Sequence, residues 1–489
     1  MAGPSSPTPD PDEDSTPDDR DPGSSASADP DPDSHPAPEP EPAPQQQTPR
    51  EARRRVDRDI LRLAVPSLGA LIAQPLFVMV DSAFVARVGT VSLAGLGLAS
   101  VVLTTVVALS VFLAYSTTAA VSRAFGAGRR AEAIARGIDA CWLALAIGTL
   151  SCLGLLAAGD PLLALFGPSP EVLAEARTYL HISSFGLPAM LAVQAATGLV
   201  RGLQKATIPL VVAGIGAAVN VPLNWILIFG LDLGIAGSAI GTIIAEWGMA
   251  IALLTVVARG ARRNGVSLRP QLKQVASAGR DSVPMFVRTL TLRVVLLVST
   301  FVATDLGAVQ LAAHQLALTL FSLFALALDA LAIAGQALVG KYLGASDTRT
   351  VRAVTSRLVS WGVGGGLVTA LLLLAVSYTA TAVFTPDVAV QENLRAALWV
   401  LIIAQPIAGY VFVLDGVLMG AGDAPYLAKA GLVTMIPTLL AAAVVVWADL
   451  PGVWALAGVW VSCTLVFMIA RAASLGVRVR GDAWMRLGA

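Results

Sequence analysis

Apolar stretches of about twenty residues recur along the chain from Leu61 onward, separated by short polar segments. A helix of about twenty apolar residues crosses the roughly 30 Å hydrocarbon core of a bilayer. The pattern therefore predicts an all-α polytopic membrane protein with about twelve transmembrane helices. We expect these helices near residues 60–85, 92–122, 138–159, 174–200, 208–230, 235–258, 277–304, 312–340, 357–381, 391–419, 427–448 and 453–476.

The polar connections alternate in charge. Basic segments such as GAGRRAEAIAR and RGARRNGVSLRP alternate with acidic or neutral ones such as GPSPEVLAE and TPDVAVQEN, and the basic EARRRVDRD precedes the first helix. An excess of Lys and Arg marks the cytoplasmic side of a membrane protein. The sequence therefore predicts a multi-pass protein of the cell (inner or cytoplasmic) membrane with both termini in the cytoplasm.

The two halves of the chain repeat one another at a constant offset of 218 positions, as in Pro66 and Pro284 or GTVSLAG and GAVQLAA. Each repeat holds six predicted spans, an even number, so both halves enter the membrane from the same side. This parity predicts two six-helix bundles related by a parallel repeat, with a pseudo-twofold axis along the membrane normal. Further matched pairs are Gly126 and Gly344, Phe166 and Phe384, Pro188 and Pro406, Gly202 and Gly420, and Gly234 and Gly452.

These features divide the chain into five predicted segments. The first is rich in Pro, Asp, Glu and Ser, and it offers too little apolar surface to offset the entropy of ordering. The segments are a disordered acidic cytoplasmic tail at 1–50, an N-terminal bundle at 59–260, a cytoplasmic linker at 261–276, a C-terminal bundle at 277–478 and a cytoplasmic tail at 479–489.

Composition agrees with a membrane protein and excludes other classes. Charged residues make up 13% of the chain, against roughly 25% in soluble proteins, and mean hydropathy is +0.72. Basic residues occur in short runs rather than one stripe, so we expect no nucleic-acid partner. Cys141, Cys152 and Cys463 lie in apolar runs without metal-ligand spacing and are predicted to be small buried side chains.

Neither nucleotide chemistry nor enzyme catalysis is indicated. The segment GQALVGKY resembles a phosphate-binding loop, but Tyr342 stands where Ser or Thr would bind magnesium, and no strand precedes it. We therefore expect no ATPase subunit and no cofactor other than a coupling ion. His35, His181 and His314 are scattered without catalytic partners, so the chain is predicted not to be an enzyme.

Four segments, taken in order, are similar to a known family. They are VPSLGALIAQPLFVMVDSAFVARVGTVSLAGLG, GAVQLAAHQLAL, LALDALAIAGQALVGKYLGASD and VLDGVLMGAGD. Over residues 59–478 the chain resembles the multidrug and toxic-compound extrusion (MATE) family, in its DinF-like branch. The resemblance implies a monomeric secondary active antiporter that exports small organic, often cationic, compounds in exchange for protons or sodium ions, by alternating access between two six-helix lobes in the lipid bilayer.

One rival remains open, a lipid-linked oligosaccharide flippase of the same superfamily. Such a protein needs a cationic cavity for a pyrophosphate head group, and Arg288 and Arg293 lie in or beside an apolar helix of the second half. Asp329 and Asp415 also lie in or beside such helices, where they have the opposite charge needed to compensate these arginines. This polar network is equally compatible with a structural and a functional role.

Asp81 is the leading candidate for ion coupling because it lies within the apolar segment LFVMVDSAFVA. A carboxylate inside a membrane helix costs roughly 2.5–3.5 kcal/mol and normally faces a cavity or a partner. The coupling carboxylate of the MATE family falls at the matching place. The alternative is an aspartate near a helix end that reaches interfacial water.

Asn220 and Asn224 stand one turn apart in the fifth predicted helix, on one face, and Thr242 lies in the sixth. Their oxygens suit a proton network or a sodium ion around Asp81, and these positions match the ion site that the family resemblance implies. Some DinF-like members have Asp where this chain has Asn224, and the loss of that charge favours protons over sodium. Hydrogen bonding between helices is the alternative role for these amides.

Pro66 and Pro75 precede Asp81 on the same predicted helix. A proline inside a membrane helix removes a hydrogen bond and frees a carbonyl group. The family resemblance implies a first helix that bends when its carboxylate is protonated, so Pro66 and Pro75 are hinge candidates. A static kink is the alternative.

Overall fold

The computed structural model describes residues 49–379, 381–448 and 450–488, and within them every regular element is helical. The predicted tail lies outside the described residues up to residue 48, and the first helix begins at Pro49. Sixteen helices occupy the described residues: α1 Pro49–Val88, α2 Thr90–Leu109, α3 Phe112–Gly126, α4 Arg130–Ala164, α5 Pro170–Ser184, α6 Leu187–Gly202, α7 Thr207–Trp225, α8 Gly234–Arg263, α9 Leu272–Asp305, α10 Ala308–Gly344, α11 Thr348–Thr379, α12 Thr381–Phe384, α13 Val388–Gly420, α14 Ala424–Trp447, α15 Val453–Trp460 and α16 Phe467–Arg480.

The prediction of twelve membrane spans is confirmed. Eleven helical segments of the described residues are long and apolar enough to cross a bilayer, and the pair α5–α6, bent by 49°, supplies the twelfth. Helices α2 and α3 together form one span, and α15 and α16 form another through the π-helical turn Val461–Val466. A second π-helical turn, Ile226–Gly230, extends α7. The three cysteines are buried and unpaired, as predicted.

The repeat is visible in the packing of each half. A Cβ atom on Gly148 would lie 2.5 Å from Cα of Pro188, and one on Gly366, its counterpart, would lie 2.8 Å from Cα of Pro406. Both helix pairs therefore approach closely at the same glycine. Left-handed turn residues also recur at the 218-residue offset, in the pairs Gly128 (φ 77°) and Ser346 (59°), Gln204 (63°) and Gly422 (72°), and Gly234 (54°) and Gly452 (55°).

The first half, α1–α8, packs against the second half, α9–α16, mainly through α10, which contacts α1 and α3. At one end of the molecule the helix ends at Gly126, Gly344 and Gly420 lie against the backbone of neighbouring helices. We call this region the closed end. Gln204 Nε2 donates a 3.0 Å hydrogen bond to the carbonyl of Ala337 across it.

An ion pair also joins the two halves at the start of α1. Arg357 of α11 holds Asp57 through two hydrogen bonds, Nε to Oδ1 at 2.5 Å and Nη2 to Oδ2 at 2.8 Å. Trp361 Nε1 donates to the same carboxylate at 2.9 Å. Asp57 thereby fixes the first turns of α1 to the second half.

The segment after α16 completes the closed end. Arg123 of α3 donates from Nη1 to the carbonyl of Ala421 at 2.5 Å, and from Nη2 to the carbonyls of Gly488 at 2.7 Å and Arg486 at 2.9 Å. Trp484 of the same segment is 2% exposed. One guanidinium group of the first half therefore binds two separate backbone segments of the second.

Candidate functional site

Asp81 of α1 is buried within the first half, with 5% of its surface exposed. Its Oδ1 accepts hydrogen bonds from Ser238 Oγ at 2.5 Å and Asn224 Nδ2 at 2.9 Å, and its Oδ2 accepts one from Tyr179 Oη at 3.2 Å. The three donors come from α8, α7 and α5. Among the described residues no Lys, Arg or His forms an ion pair with Asp81. The carboxyl group is therefore held only by neutral donors.

Asn220 and Asn224 form a buried amide pair beside this carboxylate. Asn224 Nδ2 also donates to Asn220 Oδ1 at 3.1 Å, as the predicted shared helix face allows. Gly241 of α8 makes room for them, because a Cβ atom there would collide with Asn224 Oδ1. Thr242 is buried beside the Tyr179 hydroxyl. The four predicted residues thus lie in one cluster.

The chemistry of this cluster follows from its charge. It holds one carboxylate, and the described residues contain no group of three His, Cys, Asp or Glu side chains that would suit a metal ion. Hydroxyl and amide oxygens surround the carboxylate, so a monovalent cation or a proton is the species that would neutralise it.

Sequence reasoning missed three polar residues of this half. Tyr179 and Ser238 hydrogen-bond Asp81, and Ser238 carries a detectable signal because it lies one turn before Thr242 on α8. Glu246 lies one further turn along the same face and is half-buried. None of the ion pairs or hydrogen bonds found among the described residues includes Glu246.

The two hinge candidates lie inside α1, which continues through Pro66 and Pro75 without a break. Asp81 follows on the same helix, so a change in the course of α1 would move the carboxylate relative to α7 and α8. Ser67, beside the first proline, is fully buried and its hydroxyl has no partner among the described residues.

In the second half, Asp415 of α13 lies between two buried arginines. Arg471 Nη2 donates to its Oδ1 at 2.6 Å, and Arg288 Nη2 binds its Oδ2. Arg471, on α16, was missed by sequence reasoning. Asp329 of α10 accepts hydrogen bonds from Tyr115 Oη, at 3.2 and 3.3 Å to its two oxygens. The first half thus contributes a side chain to this network.

The expected pairing of Arg293 with an aspartate is wrong. No ion pair of the described residues includes Arg293, whose side chain is exposed. It follows Arg288 by five positions, which turns it about 140° around α9 at 3.6 residues per turn. Arg288 therefore faces Asp415 while Arg293 does not.

A cavity of about 310 Å³ lies next to this network. Arg288, Arg293 and Arg471 line this cavity, which we call the second-half cavity, together with Asp329 and Asp415. Ala108, Val111 and Tyr115 of the first half also contribute to its wall, and the remaining lining is mostly apolar side chains of α9, α10, α13 and α16.

His314 takes no part in either site. It is 1% exposed, its Nε2 lies 3.3 Å from Thr300 Oγ1, and its ring packs 5.4 Å from that of Trp460. This histidine packs the start of α10.

Comparison with known proteins identifies the family. The MatE family model matches residues 66–226 and 284–447, one segment in each half. Protein DETOXIFICATION 45, chloroplastic, of Arabidopsis thaliana is 27% identical over 84% of this chain and 76% of its own length. DNA damage-inducible protein F of Escherichia coli is 29% identical over 52% of this chain and 56% of its own.

Solved structures agree in fold. A crystal structure of MATE in the bent conformation has a TM-score of 0.80 at 20% identity, covering 88% of this chain and 97% of that one. A mutant of the Vibrio cholerae MATE transporter VcmN also has a TM-score of 0.80, at 21% identity, covering 89% and 99%. A MATE structure in the straight conformation has a TM-score of 0.77 at 20% identity, covering 88% and 97%. With the family model matching both halves of a twelve-span helical chain, the protein belongs to the MatE family of membrane transporters.

Proposed function

We propose that this transporter is a secondary active antiporter that exports small organic compounds in exchange for an incoming monovalent cation. The observation that carries the proposal is the environment of Asp81, a buried carboxylate in a membrane helix with neutral partners only. A charge in that position is costly, so binding one cation there changes the energetics of α1 strongly.

The donors around Asp81 favour the proton as the coupling ion. Asn224 presents an N–H group to the carboxylate, whereas a dehydrated sodium ion needs oxygen ligands on every side. Oxygen ligands for sodium are present in Asn220 and Thr242, which makes sodium the alternative. A cluster with a single carboxylate is fully neutralised by one proton.

The driving force is sufficient without further chemistry. An incoming monovalent cation releases roughly 2.3 kcal/mol per 100 mV. Since roughly 1.4 kcal/mol corresponds to a tenfold gradient, one ion per exported molecule supports a gradient of about forty-fold.

Alternating access between the two halves links ion and cargo. The closed end carries Arg123 and Lys341, and basic residues favour a cytoplasmic location. On this assignment the structure corresponds to an outward-facing state, with both termini in the cytoplasm. Protonation of Asp81 would weaken its bonds to α7 and α8, and α1 would then be free to bend at Pro66 or Pro75. Two solved MATE structures are in a bent and a straight conformation, which supports a conformational change within this fold.

Transport in proteoliposomes tests this proposal. A pH gradient and a sodium gradient are imposed separately, with the cation ethidium and the anion 2-naphthoate as trial cargoes. We expect the pH gradient to drive transport and Asp81→Asn to abolish it. The matched control is Asp305→Asn, at the exposed end of α9, which should retain transport. Transport by Asp81→Asn at the wild-type rate would refute the coupling role.

The flippase alternative is favoured by one observation, the arginines of the second-half cavity. Two of them are already bound to Asp415, which leaves Arg293 for a pyrophosphate group. Transbilayer movement of a fluorescent polyprenyl-pyrophosphate sugar without any ion gradient would support this function over antiport.

A further inference from the structure

The two halves repeat at a constant offset in sequence, but their polar clusters carry opposite charges. At the offset of 218 positions, Asp81 corresponds to Ser299 and Asn224 to Ala442. In the other direction, Arg288 corresponds to Ala70 and Arg471 to Leu253. At these positions neither half carries the residue type that forms the cluster of the other half. A cation site in the first half is matched by a basic cavity in the second.

The charges lining the second-half cavity do not balance. Three guanidinium groups face two carboxylates, and Asp415 is shared by two of the arginines. Uncompensated charge in a poorly solvated site is costly and is relieved by a counter-ion.

Unused hydrogen-bond donors lie in the same place. Among the described residues, Arg471 Nη1 and Arg288 Nε have no hydrogen-bond partner, although Arg471 is only 1% exposed. Arg293 lines the cavity without an ion pair. Guanidinium groups donate strong hydrogen bonds to carboxylate and phosphate oxygens. The cavity therefore offers both the charge and the donors that an anion requires.

The rest of the wall is apolar, with Leu292, Phe321 and Phe412 among its lining side chains. A cavity of about 310 Å³ accommodates a small organic molecule. We propose that the second-half cavity binds a monoanionic amphiphile, meaning one carboxylate or comparable anionic group on an apolar body. The inference rests on the proposed function and specifies its cargo class, because the resemblance alone pointed to cationic compounds.

Binding measured without any gradient tests the site. The probes are 2-naphthoate and its neutral counterpart 2-naphthamide, and equilibrium dialysis is run on the full chain in phosphatidylcholine nanodiscs, with empty nanodiscs subtracted. We expect the protein to bind naphthoate about tenfold more tightly than naphthamide. Arg293→Gln should reduce that preference to within about twofold, Arg293→Lys should keep part of it, and Arg280→Gln, an exposed arginine of the same helix, should keep all of it.

The source of the anion is resolved by a second arm, in which phosphatidylglycerol is added to the nanodiscs. Displacement of naphthoate by this lipid would identify an anionic lipid as the occupant of the proposed site, and no displacement would identify a free organic acid. Asp81→Asn should abolish transport and still bind naphthoate, which separates failure of ion coupling from failure of this site. Equal binding of the two probes by the wild type, or a preference unchanged in Arg293→Gln, would overturn the proposal.

Discussion

Gly126 and Gly344 form a symmetric pair at the closed end, each lying against the backbone of the other's half. Gly126 of α3 meets the carbonyl of Lys341, and Gly344 of α10 meets the carbonyl of Arg123. Arg123 and Lys341 are themselves 218 positions apart, as the two glycines are. The interface therefore pairs identical places of the repeat, as a twofold axis between the halves requires.

Gly126→Val should prevent the closed end from closing. Its Cβ would meet backbone atoms of Lys341, which cannot move aside as a flexible side chain can. The measurement is maleimide labelling of Ser122→Cys, a fully buried interface position next to Gly340. We expect labelling to be about tenfold faster in Gly126→Val, as about 1.4 kcal/mol of destabilisation of the closed state implies.

The matched control for that experiment is Gly97→Val. A Cβ atom on Gly97 would meet no atom within 4 Å, and the residue is exposed on α2. Its labelling rate should equal that of the wild type. Equal rates in Gly126→Val and Gly97→Val would contradict the assignment of this interface as a gate.

Asn224→Asp should give the transporter a dependence on sodium. The substitution places a second carboxylate against Asp81, since Asn224 Nδ2 now lies 2.9 Å from its Oδ1. Two adjacent carboxylates repel each other unless a proton or a cation lies between them, and the new carboxylate replaces an amide N–H group with anionic oxygen ligands that suit sodium. We expect sodium to stimulate transport by Asn224→Asp in proteoliposomes, with no such effect in Asn264→Asp, which lies outside the cluster. No response to sodium in Asn224→Asp would count against this prediction.

Glu246→Gln should slow proton-driven transport about tenfold while leaving cargo binding intact. Glu246 lies one turn from Thr242 on the polar face of α8, and a carboxylate in a membrane helix is a functional candidate. It would accept the proton that leaves the Asp81 cluster. The comparison is Glu171→Gln, in the exposed first turn of α5. Wild-type rates in Glu246→Gln would exclude this relay.

Asp415→Asn should destabilise the second half by roughly 3–5 kcal/mol, because two buried arginines lose their shared carboxylate. Arg293→Gln should change stability by less than about 0.5 kcal/mol, since this exposed arginine has no ion pair. Thermal unfolding of the two purified variants, followed by loss of helical circular dichroism, measures the difference. Equal melting temperatures would contradict the structural role assigned to Asp415.

Much of the fold was accessible to sequence reasoning. Span length is imposed by the bilayer, and the constant offset between Pro66 and Pro284 made the repeat detectable. The amide pair was predictable because Asn220 and Asn224 are one turn apart on a single helix. These features depend on local periodicity or on internal comparison.

The missed residues depend on packing between helices. Tyr179 and Ser238 reach Asp81 from 98 and 157 positions away, and Arg471 reaches Asp415 from 56. Tyrosine and serine are common in apolar helices, so their type alone gives no signal. The direction in which Arg293 faces depends likewise on how α9 is rotated against α13. That rotation cannot be read from the positions of charged residues in the sequence.

The bonds that Arg123 makes at the closed end have a consequence for sequence variation. It recognises main-chain oxygens of Ala421, Arg486 and Gly488, which every residue type provides. The segment after α16 can therefore tolerate most side-chain substitutions and still be bound by Arg123, provided that the bulk of Trp484 is kept. Lysine in place of Arg123 would lack the forked geometry needed to hold several carbonyls together. Natural selection at this contact should therefore act on the side chain of Arg123 and on the backbone path of the segments it binds, rather than on their side chains.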